Sequence, residues 1–327
     1  YEMQRSLVGS EMCIRDRVAG VQINQSTGQP GKGMGFRIRG AASINGGSSP
    51  LFVVDGIPIN MDLSSINPDE IETFSILKDA ASCAIYGNRG ANGVILVTTK
   101  RGSDGKINVT YSGKFSYQTP AKLIRQVTDY ADYMEFVNEG YLNTNQAAKF
   151  SQSTINEWRE AANNPNATNV AGIPNYVTHP NTDWYDSLYR NALITGHNLS
   201  IRGGSEKLSS FLSLNYLSQE GILMNSKAER FGIRANVEYK VNSWLRVGAR
   251  LNYTRRNSQE RFDLFRVFEQ QQGAAPFIAP YTRDGRFGSV EAIKDDGTLL
   301  YTTYQPVIDA SNGATKTSKD YMAVNAF

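Results

Sequence analysis

A two-residue alternation of apolar and polar side chains begins after Gly102 and recurs in five segments of the chain. In the first, residues 107–117, Ile107 and Val109 flank the polar Asn108. Successive side chains of a β-strand point to opposite faces of its sheet, so this period predicts strands with one apolar and one polar face. The other segments are residues 197–203, 208–219, 230–240 and 244–256.

Amphipathic strands of this kind fit two architectures. In a soluble sandwich the apolar face forms the core and the polar face meets water. In a membrane barrel the apolar face meets lipid and the polar face lines the lumen. The chain has no run of 18 apolar residues, which argues against a transmembrane helix but not against a barrel.

Three observations favour the barrel. The alternating segments contain about 9–11 residues, the length that a tilted membrane-spanning strand needs. Tyr239 and Trp244 flank one tight turn, where an aromatic girdle is expected. Tight turns alternate along the chain with long connections, at about 118–196, 218–229 and 255–318, as in barrels that carry long loops at one end.

Residues 18–102 follow a different, mixed pattern. Short apolar runs such as LFVVDGIPI and VILVTTK predict buried strands. Asn67 and Pro68 predict a helix start, because Ile71, Phe74 and Leu77 follow at helical spacing. A second short helix is predicted over DAASCAIYG, with its end at the glycine. We therefore predict a small domain of helices and strands before the amphipathic strands begin.

One helix is predicted within the connection at 118–196. TDYADYMEFVNEGYL combines an N-cap at Thr128 with an apolar stripe that includes Tyr130 and Met134. The remainder, residues 163–184, is rich in Asn and also contains Tyr176, Asp183 and Trp184. Such residues suit stacking on sugars or ordinary loop packing, and we favour packing.

Composition and motifs argue against several classes of function. The net charge is +3 and no basic run stands out, so we predict no nucleic-acid partner. Neither Cys13 nor Cys83 has a second metal-ligating residue at the spacing of a metal site, and His179 and His197 do not cluster with them. We therefore predict no metal and no cofactor. No Ser/His/Asp or Cys/His set can be assembled, and we predict that the protein is not an enzyme.

Two carboxylates resemble catalytic groups but fit structural roles better. Asp55 stands at a strand end, yet Asp-Gly is a turn pair in which Asp bonds its own backbone and Gly56 takes a positive φ. Lys78 and Asp79 could form an acid–base pair, but adjacent residues on a helix do not face each other.

The first 17 residues differ from the rest. YEMQRSLVGSEMCIRDR has no apolar core and no cleavage site, which argues against a signal peptide. It resembles translated sequencing-adaptor sequence, so we predict that residues 1–17 are not native. The alternative is a genuine but disordered N-terminus.

Residues 36–102 carry a specific resemblance. The stretches FRIRGAASINGGSSPLFVVDGIPIN and INPDEIETFSILKDAASCAIYGNRGANGVILVTTKRG resemble the plug domain of the SusC/RagA family of TonB-linked outer-membrane proteins. NLSIRGGSEK and YLSQEGIL are similar to the barrel of that family. The plug-motif positions, to which the resemblance assigns structural or gating roles, are Arg39, Gly40, Asp55, Gly56, Pro58, Lys78, Asp79, Tyr86, Gly87, Arg89, Gly90 and Gly93.

The resemblance implies a fold and its boundaries. An α+β plug domain, residues 18–102, would be followed by the first antiparallel strands of a transmembrane β-barrel, residues 103–327, with extracellular loops at about 118–196 and 255–318. Family barrels have about 22 strands, so we expect this chain to hold only five or six of them. The family's signal peptide and TonB box are not recognisable here.

The resemblance also implies a function and partners. Such a protein imports glycans or peptides through the outer membrane, together with a SusD-like lipoprotein, and is driven by the TonB–ExbB–ExbD complex. We predict that Arg39, Lys78 and Arg89 contact the barrel wall. The lumen-facing candidates on that wall are Arg202, Arg234, Glu238, Arg246 and Arg250. The alternative function is a soluble or surface glycan-binding β protein with an α/β cap and no transport.

Overall fold

The computed structural model describes most of the chain. The described residues are 21–24, 28–33, 35–38, 49–59, 66–102, 105–120, 125–170, 172–261, 267, 274–281, 285, 289–293, 299–302, 307, 310–311 and 314–327. Arg39 and Gly40 lie outside them, as do residues 1–17, whose non-native origin stays a prediction.

A four-stranded sheet forms the centre of the N-terminal domain. Its order is β4-β3-β6-β5, where the strands are β3 (Leu51–Val54), β4 (Ile57–Ile59), β5 (Ile71–Leu77) and β6 (Val94–Thr99). β3 and β6 pair in parallel, and the other neighbours pair antiparallel. A separate antiparallel pair joins β1 (Val21–Asn24) to β2 (Gly35–Ile38).

Both faces of this sheet are covered, which explains why its central strands are continuous apolar runs. Phe52, Ile95 and Val97 pack on one face with Phe36 and Ile38 of β2. Leu51, Val53 and Val94 pack on the other face with Cys83, whose neighbour Tyr86 is partly buried against the same cluster.

The helix predicted from Ile71 onward is wrong. Asn67 caps only one turn of 3-10 helix, Pro68–Glu70, by accepting a hydrogen bond from the Asp69 backbone N–H at 3.2 Å. The chain then enters β5, where the pairing with β6 shifts register between Ile71 and Thr73. This bulge places Ile71 on the same face as Phe74 and Ile76, so the apolar spacing imitates a helix.

The second predicted helix is confirmed over α1 (Ala80–Cys83). It continues as a 3-10 segment, Ala84–Gly90, that is broken at Gly87, where φ is 57° and ψ is −144°. Gly90 lies against α1, because a Cβ there would stand 2.9 Å from the carbonyl oxygen of Cys83.

Six antiparallel strands form what we call the wall sheet, in the order β14-β11-β10-β9-β8-β7. Its strands are longer than predicted, and β14 joins the five predicted ones. Their bounds are β7 (Gly105–Gln118), β8 (Ala192–Gly204), β9 (Leu208–Glu220), β10 (Lys227–Lys240), β11 (Arg246–Arg261) and β14 (Ala314–Ala326).

Burial in the wall sheet is the reverse of that in a soluble sandwich. On β10, Arg234 and Asn236 are 3% and 6% exposed, because this polar face lies against the N-terminal domain. Their neighbours Ile233 and Val237 point to the opposite face and are 41% and 45% exposed. The barrel interpretation of the amphipathic strands is therefore confirmed at the level of fold.

In its described residues, the long connection between β7 and β8 carries four helices: α2 (Tyr130–Asn143), α3 (Gln152–Asn163), α4 (Asn175–Thr178) and α5 (Trp184–Leu188). The cap of α2 is Asp129, not Thr128, since its carboxylate accepts from the backbone N–H groups of Ala131 and Asp132 at 2.7 and 3.2 Å. In the sequence, β11 and β14 are separated by a connection that contains a hairpin of β12 (Ser289–Ile293) and β13 (Leu299–Thr302). No helix in the described part of the chain is both long and apolar enough to cross a membrane.

Three connections share one apolar cluster, which we call the loop core. Trp184 and Leu188 come from the first, Leu223 from the second, and Val267 and Val307 from the third. Trp184 is 2% exposed and donates its indole N–H to the carbonyl of Ala275 at 3.2 Å. The preference for packing over sugar stacking is therefore confirmed for this tryptophan.

We expect Gly93→Ala to destabilise the N-terminal domain by about 1–3 kcal/mol, because an L side chain at positive φ is strained. Here φ is +92°, and the added Cβ would stand 2.9 Å from Cδ1 of Ile38. The matched control is Gly140→Ala in α2, where no atom lies within 4 Å and helix propensity predicts a gain of about 0.5–1 kcal/mol. Native-state hydrogen exchange of β6 and α2 measures both effects. If the two variants changed the free energy of opening in the same direction, the prediction would be contradicted.

Tyr189 should make the loop core sensitive to alkaline pH. It is partly buried against this core, and burial first, then the nearby Tyr185, raises its pKa to about 12. A raised pKa in the folded state stabilises the fold below the unfolded pKa of about 10, and this contribution is lost as pH rises towards 12. We expect Tyr189→Phe to remove one tyrosinate absorbance transition near pH 12 and to weaken the alkaline loss of stability. An unchanged titration curve would count against this assignment.

Candidate functional site

Arg234 is the central charge where the N-terminal domain meets the wall sheet. Its position on β10 points it towards the N-terminal domain, and its side chain is only 4% exposed. Its Nε donates to Oε2 of Glu70 at 2.7 Å, and its Nη1 lies 3.7 Å from Oδ2 of Asp55. One guanidinium therefore joins two carboxylates of the N-terminal domain.

Glu70 is held in place through both its backbone and its side chain. Its backbone N–H closes the 3-10 turn on Asn67 at 3.0 Å, and its carbonyl accepts from Lys100 N–H at 2.8 Å. Its Oε1 accepts from Ser213 Oγ and Asn215 Nδ2 of β9, both at 2.8 Å. The buried carboxylate thus has three donors on two wall strands, which offsets the cost of removing its charge from water.

Asp55 occupies the predicted turn between β3 and β4. Its φ is 50° and that of Gly56 is 88°, and a two-residue hairpin of this kind favours an Asp-Gly pair. The turn is confirmed, but the Asp55 carboxylate accepts from Thr99 N–H at 2.9 Å and Thr99 Oγ1 at 2.6 Å. Pro58 follows in β4, an edge strand, where the missing N–H is tolerated.

Further hydrogen bonds surround the central charges and reach other wall strands. They link Asn67 Nδ2 to Asn198 Oδ1 at 2.8 Å, Arg230 Nη1 to the Ile66 carbonyl at 3.2 Å, and Asn236 Nδ2 to the Lys100 carbonyl at 3.1 Å. On β7, Lys114 Nζ lies 3.6 Å from Oδ1 of Asp69. The contact between the two parts of the chain is therefore polar across five wall strands, β7 to β11.

The wall candidates divide into two groups. Arg234 and Arg250 contact the N-terminal domain. Arg250 donates from Nη1 to the Asp55 carbonyl at 3.4 Å. The Cζ atom of its guanidinium also lies 4.4 Å from the ring centre of Phe327. Arg246 Nη1 lies 3.5 Å from Oε1 of Glu238, a contact within the wall sheet itself. Arg202 is exposed on β8.

Lys78 and Asp79 follow the end of β5 that pairs with Val94, at the other end of the sheet from Asp55 and Glu70. The backbone carbonyl of Asp79, the residue before α1, accepts from the Cys83 N–H at 3.0 Å, and Lys78 precedes it. Arg89 is exposed near the end of the 3-10 segment. Their role as wall contacts stays a prediction, as does that of Arg39, which lies outside the described residues.

Sequence reasoning missed Glu70, Asn198 and Ser213. Glu70 stood within a segment interpreted as a helix, where a carboxylate is usually solvated. The usable signal was Arg234 itself, because an arginine on the covered face of a strand requires a buried carboxylate partner. In the described ranges, no group of three or more His, Cys, Asp or Glu side chains could hold a metal ion.

Comparison with known proteins agrees with this architecture. The family model described as "TonB-dependent Receptor Plug Domain" matches residues 3–94. TonB-dependent receptor P26 of Formosa agariphila is 37% identical over 249 residues, which cover 75% of this chain and 23% of that protein. TonB-dependent receptor SusC of Bacteroides thetaiotaomicron is 34% identical over 233 residues, which cover 68% of this chain and 20% of that protein.

The structure of the RagAB peptide transporter shares the fold. Its TM-score is 0.65 at 21% identity, over 95% of this chain and 36% of the matched one. The chain spans 20–29% of the length of the curated relatives that it matches.

We expect Arg234→Ala to loosen the N-terminal domain from the wall sheet, at a cost of about 3–5 kcal/mol, because it leaves a buried carboxylate without its cation. Arg202→Ala is the matched control, since it removes an exposed arginine from β8 of the same sheet and should change stability by less than about 0.5 kcal/mol. Hydrogen exchange of β5 and the 3-10 turn at Pro68–Glu70 measures the loosening.

A double variant separates the lost ion pair from a general packing defect. Adding Glu70→Gln to Arg234→Ala removes the uncompensated charge, so part of the lost protection should return. If the two substitutions were simply additive, the ion pair would not be the central interaction.

Proposed function

We propose, on the premise that this chain belongs to the SusC/RagA-like TonB-dependent receptors, that the whole protein imports a nutrient across the cell outer membrane. The N-terminal domain would act as the plug, and the wall sheet would form part of the barrel around it. The observation that carries the proposal is the buried contact of Glu70 and Asp55 with Arg234.

A polar interface suits a plug that must move. Apolar packing would bind the plug through a large burial energy, whereas a buried ion pair contributes little net stability once desolvation is counted. Its hydrogen bonds still fix one position, because they weaken steeply with distance and angle. The interface would therefore define the closed state, and water could replace its contacts when the plug is displaced.

Energy and partners follow from the family. We infer that the TonB–ExbB–ExbD complex supplies the force that displaces the plug, and that a SusD-like lipoprotein covers the outer end. The long connections with α2 to α5 would face outward and meet the substrate. RagAB is described as a peptide transporter, so peptides join glycans as candidate substrates.

The soluble glycan-binding alternative fits the surface less well. It would leave Ile233, Phe231 and Val237, all more than 40% exposed, facing water on one sheet face. Contiguous apolar surface of this kind marks contact with lipid or protein. We therefore infer that outer-membrane lipid covers this face.

Deletion of the gene for the complete protein in its bacterial host tests the function. Growth on defined oligosaccharides or peptides as the sole nutrient should fail for at least one of them, and the intact gene should restore it. The same loss should follow deletion of TonB. Growth on a monosaccharide that enters through general porins is the control. Restored growth in a strain without TonB would contradict the proposal.

A further inference from the structure

We propose that the inward face of the wall sheet binds an oligomer that carries several carboxylates, through a row of cations on β10, β11 and β14. The cations are Arg230, Arg256 and Lys319, and we call them the cation row. This inference rests on the proposed function, because it takes the inward face to line the path of the imported nutrient. It narrows that nutrient to an anionic one.

The cation row belongs to one line of register pairs that crosses all six wall strands. Each member of the line pairs with the next across neighbouring strands. The line consists of Lys114, Gly196, Leu217, Arg230, Arg256 and Lys319. Four of these six residues are basic and none is acidic.

The side chains of the cation row lie on the same face as Arg234. Arg230 precedes Arg234 by four residues on β10, so a two-residue period places both on one face. Nη1 of Arg230 donates to the Ile66 carbonyl of the N-terminal domain at 3.2 Å. A Cβ added at Gly31 would stand 3.2 Å from Nη2 of Arg256, so the backbone of the N-terminal domain approaches this arginine too.

The concentration of like charge is specific to this row. In the described residues of β10, β11 and β14, the inward rows directly above and below it are uncharged. They consist of Ala228, Ser258 and Thr317 on one side and of Gly232, Thr254 and Tyr321 on the other. Like charges directly opposite each other on neighbouring strands destabilise a sheet. Departures of this kind from the rules of stability are expected at functional sites.

The carboxylates of the inward face lie beside other cations. In the described wall strands this face carries two of them, Glu238 and Glu260. Oε2 of Glu260 lies 2.6 Å from Nζ of Lys32, and Oε1 of Glu238 lies 3.5 Å from Nη1 of Arg246. Each carboxylate therefore offsets a charge outside the cation row.

The N-terminal domain does not offset the positive sign of the inward face. Residues 18–102 contain seven basic and six acidic residues, so the domain as a whole is almost neutral. Three of its carboxylates contact wall cations outside the row, since Asp55 and Glu70 contact Arg234 and Asp69 contacts Lys114. A surface of one sign raises the local concentration of ligands of the opposite sign.

The spacing of the cation row favours an oligomer over a single small anion. Neighbouring strands lie about 4.8 Å apart, so the three cations extend over about 10 Å. A chain with repeated carboxylates can contact all three at once. Hydrogen bonds from arginine to carboxylates are roughly twice as strong as those to neutral acceptors. A carboxylate of the ligand can therefore replace the Ile66 carbonyl on Arg230.

Binding of defined oligomers to the purified complete receptor tests the cation row. The acidic probes are a hexamer of galacturonic acid and a hexamer of glutamate with blocked ends, which carry the same number of carboxylates on different backbones. Their uncharged counterparts are the methyl ester of the first and a blocked hexamer of glutamine. We expect at least one acidic probe to bind at least about tenfold more tightly than its counterpart in low salt. The difference should shrink at about 1 M salt, where charges are screened within about 3 Å.

Lys319→Gln and Lys316→Gln form a matched pair for this measurement. Both lysines are exposed on β14, but Lys316 pairs with Gln259 on the outward face. We expect Lys319→Gln to weaken binding of the acidic probe about threefold to fivefold, because one partly exposed ion pair is lost. Lys319→Glu should weaken it further. Lys316→Gln should change it by less than about twofold, and none of the three variants should alter binding of the neutral probes.

The outcomes separate this inference from the proposed function. Preference for the galacturonate hexamer supports an acidic glycan as substrate, and preference for the glutamate hexamer supports an acidic peptide. If the receptor showed no preference for either acidic probe, or if Lys316→Gln weakened binding as much as Lys319→Gln, the cation row would be overturned. The importer would still stand if growth on a neutral nutrient depended on the receptor. Growth that never depends on the receptor would overturn both.

Discussion

The buried pairing of Glu70 with Arg234 is the interaction on which the arrangement of the two parts of the chain depends. It joins the 3-10 turn of the N-terminal domain to the middle of a wall strand. Ser213, Asn215 and Asp55 then arrange themselves around these two charges. A charge pair in this position is costly to bury and strongly directional, so it determines where the domain sits more than how tightly it is held.

The wall sheet complements this interaction by placing its polar face inward. If Ile233 and Arg234 exchanged faces, the same strand would present a charge on the outward apolar face and an apolar residue to the turn at Glu70. The two-residue period of the strand therefore determines both the outward apolar face and the inward contact of Arg234 with Glu70. A shift of the strand register by one residue would disrupt both.

Local patterns predicted local structure well, and long-range partners poorly. The alternation at 230–240 and the Asp55–Gly56 turn follow from rules that operate within a few residues, and the structure confirms both. Glu70 and Arg234 are 164 positions apart, and no local rule connects them. The helix wrongly predicted at Ile71 arose from a bulge, since one extra residue converts a strand period into an apparent helical one. Asp129 competed with Thr128 for the same cap, and propensity does not separate such neighbours.

The loop core ties together segments that the chain presents as independent connections. Trp184, Leu223 and Val267 come from three different loops, yet each buries its side chain against the others. Substitutions in contacting residues are not additive, so a change in one loop alters the stability of the other two. A substitution in one of the three connections is therefore expected to require compensating changes in the other two, so the three connections would vary together.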